Sequence, residues 1–283
     1  MKVDILAPSG FCGGVINVLK LINYVVETHK DQPIYCIGQV VHNNDVNKEI
    51  LDKGVIVLQG DKETNINKID SGVVVFSAHG TNDDIVRKAR EKGLIVYNAI
   101  CPFVDKSFDA IKQKSKEGYD IIYVGKKGHD EAIAALSLVN NINLVTSIED
   151  VKKLNIKNDK VAVINQTTLS LLDIENIYNA IKEKYNDCLI IDEICNTTRI
   201  RQTNLISKAS LYDMVLIVGD QTSNNSLSLY KIAIQLNKNT KMVLNDQEVE
   251  LTWFFDKKSV LIASGASTPN GVIEKIYKKI KNN

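Results

Sequence analysis

Short apolar runs recur along this chain in three matching sets. Each set opens with a run that ends a few residues before a cysteine: residues 3–6 before Cys12, 94–97 before Cys101, and 189–191 before Cys195. A second run (34–37, 121–124, 214–218) leads into a polar loop carrying His42, His129 or Ser223. These loop residues stand 30, 28 and 28 residues after their cysteine. A third run (73–76, 161–164, 260–263) leads to His79, Thr167 or Ser267, at offsets of 67, 66 and 72. The runs are rich in Val and Ile and do not alternate with polar residues, the pattern of strands buried on both faces of a parallel sheet.

Helical patterns lie between the runs. Val15, Val18, Leu19, Ile22 and Val26 follow helical spacing. Residues 82–92 carry Asp83 and Asp84 early, basic residues late, and Gly93 as a stop, the charge order a helix dipole favours. Residues 48–53 and 106–117 end at Gly54 and Gly118, and further helices are expected over 171–184 and 227–236. Strands alternating with helices imply βαβ units, in which ligands bind beyond the carboxyl ends of the strands. The expected fold is therefore α/β. Three similar α/β domains, each with a mostly parallel sheet, are arranged as a pseudo-threefold trefoil around a central site. The domains are placed at 13–100, 101–192 and 193–283, with the N-terminal strand 1–12 near the centre.

Composition narrows the partners. The chain has 35 basic and 34 acidic residues, a net charge of +1, which argues against a nucleic-acid partner. Lys275, Lys278, Lys279 and Lys281 read as the solvated face of a last helix. No run approaches the roughly 18 apolar residues of a membrane span, and the first apolar run breaks at Pro8 and Gly10, so no signal peptide is expected. A cytoplasmic location follows as an expectation, and there five cysteines do not form a disulfide framework.

Cys12, Cys101 and Cys195, one per unit, point to a shared centre holding an iron–sulfur cluster or zinc. In a four-iron cluster three thiolates leave one iron open as a Lewis acid; for zinc, His42 is a candidate fourth ligand. Cys36 and Cys188, within or at the start of apolar runs, read as core cysteines, and His29 reads as solvated. His42, His79, His129, Ser223, Asn225 and Ser267 offer donors for an anionic group, above all a phosphate. Ser223 and Ser267 are also candidate helix caps. Glu131, two residues from His129, can deliver protons in a closed site, and Thr167 shares its loop set. Gly10, Gly13 and Gly14 do not form a dinucleotide fingerprint, so electrons would come from a separate carrier.

Several motifs occur in order: Gly10-Phe11-Cys12-Gly13-Gly14-Val15, Val41-His42-Asn43, Ser77-Ala78-His79-Gly80, Cys101-Pro102, Gly128-His129, Gln166-Thr167-Thr168-Leu169-Ser170, Ile194-Cys195 and Gly265-Ala266-Ser267-Thr268-Pro269. Together they resemble the 4-hydroxy-3-methylbut-2-enyl diphosphate reductases of the methylerythritol phosphate route to isoprenoids, over essentially the whole chain. The resemblance implies a [4Fe-4S] cluster held by Cys12, Cys101 and Cys195 with one open iron. It implies reductive loss of the substrate's allylic hydroxyl, giving isopentenyl and dimethylallyl diphosphate. It implies diphosphate binding by His42, His79, His129, Ser223, Asn225 and Ser267, and handling of the hydroxyl and its protons by Glu131 and Thr167. The electron donor would be a ferredoxin or flavodoxin. A paralogue acting on another unsaturated substrate and a non-catalytic iron–sulfur redox sensor are the competing readings. The chain departs from the family pattern at Asn17, Ile100 and Asp130, where arginine, threonine and proline are usual. It departs again at Asn224, which replaces a serine beside the expected diphosphate.

Overall fold

The computed structural model describes residues 1–41 and 43–282. His42 therefore lies outside the described residues. The chain opens with strand β1 (Lys2–Ile5). Next come α1 (Gly13–Thr28), β2 (Ile34–Ile37), α2 (Asn44–Asp52), β3 (Val55–Leu58), α3 (Lys62–Asn67), β4 (Val73–Phe76), α4 (Asp83–Glu91) and β5 (Ile95–Asn98). A second series follows: α5 (Pro102–Lys116), β6 (Asp120–Val124), α6 (Asp130–Leu136), β7 (Ile142–Val145), α7 (Ile148–Lys153), β8 (Val161–Asn165), α8 (Leu171–Lys184) and β9 (Leu189–Ile191). The third comprises α9 (Asn196–Lys208), β10 (Met214–Val218), α10 (Asn224–Leu236), β11 (Thr240–Val243), β12 (Ser259–Ser264) and α11 (Asn270–Lys281).

Among the described residues the strands form three four-stranded sheets, ordered β3-β2-β4-β5, β7-β6-β8-β9 and β11-β10-β12-β1. Every pairing is parallel. The three orders coincide once β1 is given the fourth place in the third sheet, where Lys2 lies opposite Ser259 and Ile5 opposite Ile262. The first strand of the chain thus completes the last unit.

Each sheet buries both faces under helices. In the first unit Val73 and Val75 pack with Val18, Ile22 and Val25 of α1. Their neighbours Val74 and Phe76 pack on the opposite face with Ile66 of α3 and Val86 and Ala89 of α4. The second unit repeats this with α5 and α6 on one face and α7 and α8 on the other. In the third, α11 covers one face while α9 and α10 cover the other.

The structure corrects the sequence reading in several places. Full two-sided burial holds for the inner strands, as in VVVF of β4 or MVLIV of β10. The runs before the cysteines are edge strands and keep exposed positions, as in β1, β5 and β9. One further strand per sheet, β3, β7 and β11, falls outside the three sets of runs: β7 and β11 mix polar and apolar residues, whereas β3 (VIVL) is wholly apolar and its run was legible. Three helices begin earlier than their apolar periodicity indicates, at Asn44, Pro102 and Asn224. The first turns of α2 and α10 are polar and are capped by Asn43 and Ser223, whereas α5 opens with Pro-Phe-Val-Asp and its start is marked by Pro102 directly after Cys101. His29 is not freely solvated: it is half-buried, and its Nε2 lies 2.9 Å from the Tyr97 hydroxyl. Cys36 is 1% exposed in the first core, as expected, and Cys188 is half-buried beside the second unit's core.

Leu6, just beyond β1, is buried in the third unit among Leu205, Ala209 and Ile217. Leu6→Ala is expected to cost about 3 kcal/mol of stability, the typical loss for a buried leucine. Hydrogen exchange should accelerate most in β10 and β12. Acceleration centred on β2 and β4 would contradict the assignment of the first strand to the third unit.

Candidate functional site

Because every strand is parallel, the loops leaving the carboxyl ends of each sheet fall on one side of it. The three loop sets meet around a cavity of about 300 Å³. Its wall includes Cys12, Cys101, Cys195, His79, His129, Glu131, Thr167, Ser223, Asn224, Asn225 and Ser267. Every predicted site residue among the described ones is therefore brought to one place. A larger cleft of about 660 Å³ runs alongside between the first and second units and shares His129 with it.

Each cysteine is the N-cap of the helix after it: Cys12 for α1, Cys101 for α5 and Cys195 for α9. Cys12 Sγ accepts from the Val15 N–H at 3.4 Å. Cys195 Sγ accepts from the Thr198 N–H at 3.4 Å and donates to Thr198 Oγ1 at 3.1 Å. Pro102 opens α5, where a missing N–H costs nothing. Three helix N-termini, each a partial positive charge, thus converge on three sulfurs. Burial pushes the Cys101 and Cys195 thiols up, and the charge of the Cys12 sulfur pushes both further.

A Cβ placed on Gly14 would lie 3.1 Å from Cys101 Sγ and 3.7 Å from Cys12 Sγ. Glycine thus keeps open the space between two of the sulfurs. Among the described residues no three His, Cys, Asp or Glu side chains close on a point suited to one metal ion. A polynuclear cluster takes thiolates at separate irons, a donor set that three cysteine caps lining one cavity can supply. Desolvated thiols that resist ionisation alone are deprotonated outright when they coordinate a metal.

In the same cavity wall, Glu131 is 1% exposed. Its Oε1 accepts from the Thr167 N–H at 2.8 Å and its Oε2 from Thr167 Oγ1 at 3.0 Å. The Tyr123 hydroxyl lies 3.5 Å from Oε1. Burial raises Glu131 to about 7, and the bonds from Thr167 and Tyr123 hold it back from rising further. The carboxyl is thus poised between its acid and its conjugate base near neutrality. His129 N-caps α6, its Nδ1 accepting from the Glu131 N–H at 3.2 Å. An accepting Nδ1 leaves the ring proton of the neutral form on Nε2. The His79 ring stands edge-on to His129, with centroids 5.4 Å apart.

The third unit supplies Ser223, which N-caps α10 by accepting from the Ser226 N–H at 3.4 Å. Ser223, Asn224 and Asn225 are buried at that helix N-terminus. Asn225 spans two loops: its Nδ2 donates to Thr198 Oγ1 at 3.1 Å and its Oδ1 accepts from the Ala266 N–H at 3.0 Å. Thr198 therefore links Cys195 to Asn225, and Ser267 follows directly on Ala266.

Thr198, Arg201 and Gln202 were not singled out from the sequence. All are buried on the inner face of α9 with Leu205. Their signal was available: polar residues three, six and seven positions after Cys195, at helical spacing, where an amphipathic helix usually turns apolar residues inward. Gln202 joins the second unit to the third, accepting from the Leu171 N–H at 2.7 Å and donating to the Leu169 carbonyl at 2.9 Å. Of the departing positions, Asn17 and Asn224 line the cavity. Asp130 lines the larger cleft, where its carboxylate lies 3.6 Å from Lys62 Nζ. Lys62 also donates to the Gly80 carbonyl at 2.7 Å. Asp130 thus ties the second unit to the first beside His129 and Glu131.

Comparison with known proteins agrees with this arrangement. The chain matches the family described as LytB protein over residues 3–281. It is 38% identical over 280 residues to the 4-hydroxy-3-methylbut-2-enyl diphosphate reductase of Geobacillus sp. (strain WCH70), covering 98% of this chain and 89% of that protein. The solved structure of the E-1-hydroxy-2-methyl-but-2-enyl-4-diphosphate reductase from Plasmodium falciparum superposes with a TM-score of 0.94 at 29% identity, over 99% of this chain and 88% of that one. A second solved structure, of (E)-4-hydroxy-3-methyl-but-2-enyl diphosphate reductase, the terminal enzyme of the non-mevalonate pathway, gives a TM-score of 0.72 at 29% identity, with both chains fully covered. From the repeat of cysteine caps to the match along nearly its whole length, this chain belongs to the LytB protein family.

Proposed function

We propose that this chain is an iron–sulfur reductase that removes the allylic hydroxyl of 4-hydroxy-3-methylbut-2-enyl diphosphate, giving isopentenyl and dimethylallyl diphosphate. The observation that carries this reading is the convergence of three cysteine-capped helices and the buried Glu131–Thr167 pair on one cavity. Cys12, Cys101 and Cys195 would hold a [4Fe-4S] cluster with one iron free of protein ligands. When bound, that cluster supplies the electrons and a Lewis-acidic site for the hydroxyl. The electrons come from an external carrier such as a ferredoxin or flavodoxin.

The protein's own groups do the rest. The N-terminus of α10, with Ser223, Asn224 and Asn225, faces the cavity as an anion site for the diphosphate. His42, His79, His129 and Ser267 complete the set of donors. Thr167 holds the Glu131 carboxyl in one orientation through two hydrogen bonds. Glu131, with its proton bound up to about pH 7, gives a proton to the departing hydroxyl or to the allyl carbon and is matched to neutral working conditions. Glu131 and Thr167 are themselves buried, which keeps bulk water from this pair.

The direct test is anaerobic turnover of cluster-loaded protein with a chemical reductant and the hydroxylated diphosphate. Formation of the two diphosphate products is expected. A fully loaded protein that makes neither would overturn the reading and favour a redox sensor.

Glu131→Gln should lower turnover by about 10²-fold or more, as for loss of a general acid, with the cluster spectrum unchanged. The same variant has a stability signature. Folded Glu131 titrates at about 7, above its unfolded value, so folding retains a proton that the unfolded chain gives up. Its contribution is full below the unfolded pKa and is lost as pH rises toward 7. Glu131→Gln should therefore gain on the native protein by up to roughly 3 kcal/mol between about pH 5 and about pH 7.5, read by urea unfolding of the cluster-free protein. A constant difference across that range would place the Glu131 titration elsewhere. Gly14→Ala is expected to lower iron and sulfide content per chain while leaving the circular dichroism spectrum intact. Unchanged iron content would show that the space beside Gly14 is not used.

A further inference from the structure

Arg201 is a buried cation with no carboxylate beside it. It is 2% exposed. Its Nη1 donates to the Ser264 carbonyl at 2.7 Å and to Ser264 Oγ at 3.2 Å, and its Nη2 donates to the Gly10 carbonyl at 2.6 Å. These acceptors are all neutral. Its Nε is buried without a hydrogen-bond partner, and among the described residues no ion pair includes Arg201. Taking an unpaired charge out of water costs several kcal/mol, so an arginine kept here needs a compensating anion.

The geometry says where that anion is. Arg201 lies on the helix capped by Cys195, on its inner face with Thr198. It grips the carbonyl of Gly10, two residues before Cys12, and the same Ser264 hydroxyl accepts from the Gly10 N–H at 3.0 Å. Burial pushes the guanidinium below its ordinary value, and the charges that work against this are those of the Cys12 and Cys195 sulfurs.

We propose that Arg201 is the fixed counter-charge of the cysteine centre: a positioning residue that offsets its thiolates and makes the bound cluster easier to reduce. Reduction adds one negative charge to the cluster. A cation held nearby in a low-dielectric setting favours the reduced form and so raises the reduction potential. The role rests on the iron–sulfur reading of the site, because two neutral thiols would leave the guanidinium uncompensated.

The test is a spectroscopic redox titration of anaerobically reconstituted protein with a chemical reductant. Arg201→Gln, which keeps a donor and removes the charge, should move the cluster potential negative. Arg201→Lys, which keeps the charge and loses the fork, should titrate near the native value. Ser264→Asp keeps the arginine and sets a carboxylate against it, so it should also move the potential negative; this variant decides the matter if Arg201→Gln does not fold. Arg201→Gln or Ser264→Asp with an intact cluster and an unshifted potential would overturn the proposal. Arg201→Lys shifted as far as Arg201→Gln would do the same and leave a purely structural tie. Native protein that takes up no iron or sulfide would end the iron–sulfur reading itself, a result distinct from loaded variants with unshifted potentials.

Discussion

Three sulfurs, each on a half-buried cysteine at the amino end of a helix, set the terms for the rest of this molecule. Helix N-termini are among the few places in a fold that favour negative charge without a titratable cation. Directing three of them at one cavity requires three separate strand-to-helix turns to face one another. A single sheet presents its turns along a line, whereas three sheets can present theirs to a common centre. The threefold repeat is thus the architecture that the chemistry of the centre needs.

The two sides of the cavity have opposite electrostatic characters. On one side, desolvated thiols lie near a buried guanidinium, a set that becomes favourable when the sulfurs carry negative charge. On the other, a desolvated carboxyl holds its proton to about pH 7 while Thr167 fixes its direction. Both depend on exclusion of water. Asn225, Thr198 and Gln202 reach between loops and keep the sides in register, so opening the cavity would weaken the sulfur site and the proton site together.

Much of this was legible in the amino-acid sequence, for physical reasons that differ by element. The inner strands announced themselves because both of their faces are buried, leaving unbroken runs such as Val73–Phe76. The repeat of cysteines and loop residues announced the site, because parallel topology puts equivalent loops on equivalent ends. The outer strands β7 and β11 lack a clear run because polar residues interrupt them, whereas the apolar run of β3 was legible but lay outside the threefold repeat. Helix starts were missed because the first turn is governed by caps such as Ser223 rather than by periodicity. Arg201 was hidden for a related reason: an arginine on a helix reads as a solvated residue unless its neighbours at helical spacing are polar and buried as well.

The pairing of the first strand with the last sheet has a further meaning. Lys2 lies opposite Ser259, so this pairing joins two segments separated by most of the described chain. Contacts so distant along the chain carry a large closure entropy and form late. Cys12 follows closely on β1, so it reaches Cys101 and Cys195 only once this long-range pairing has formed. Closing the third sheet and bringing the three cysteines to one cavity are therefore a single event.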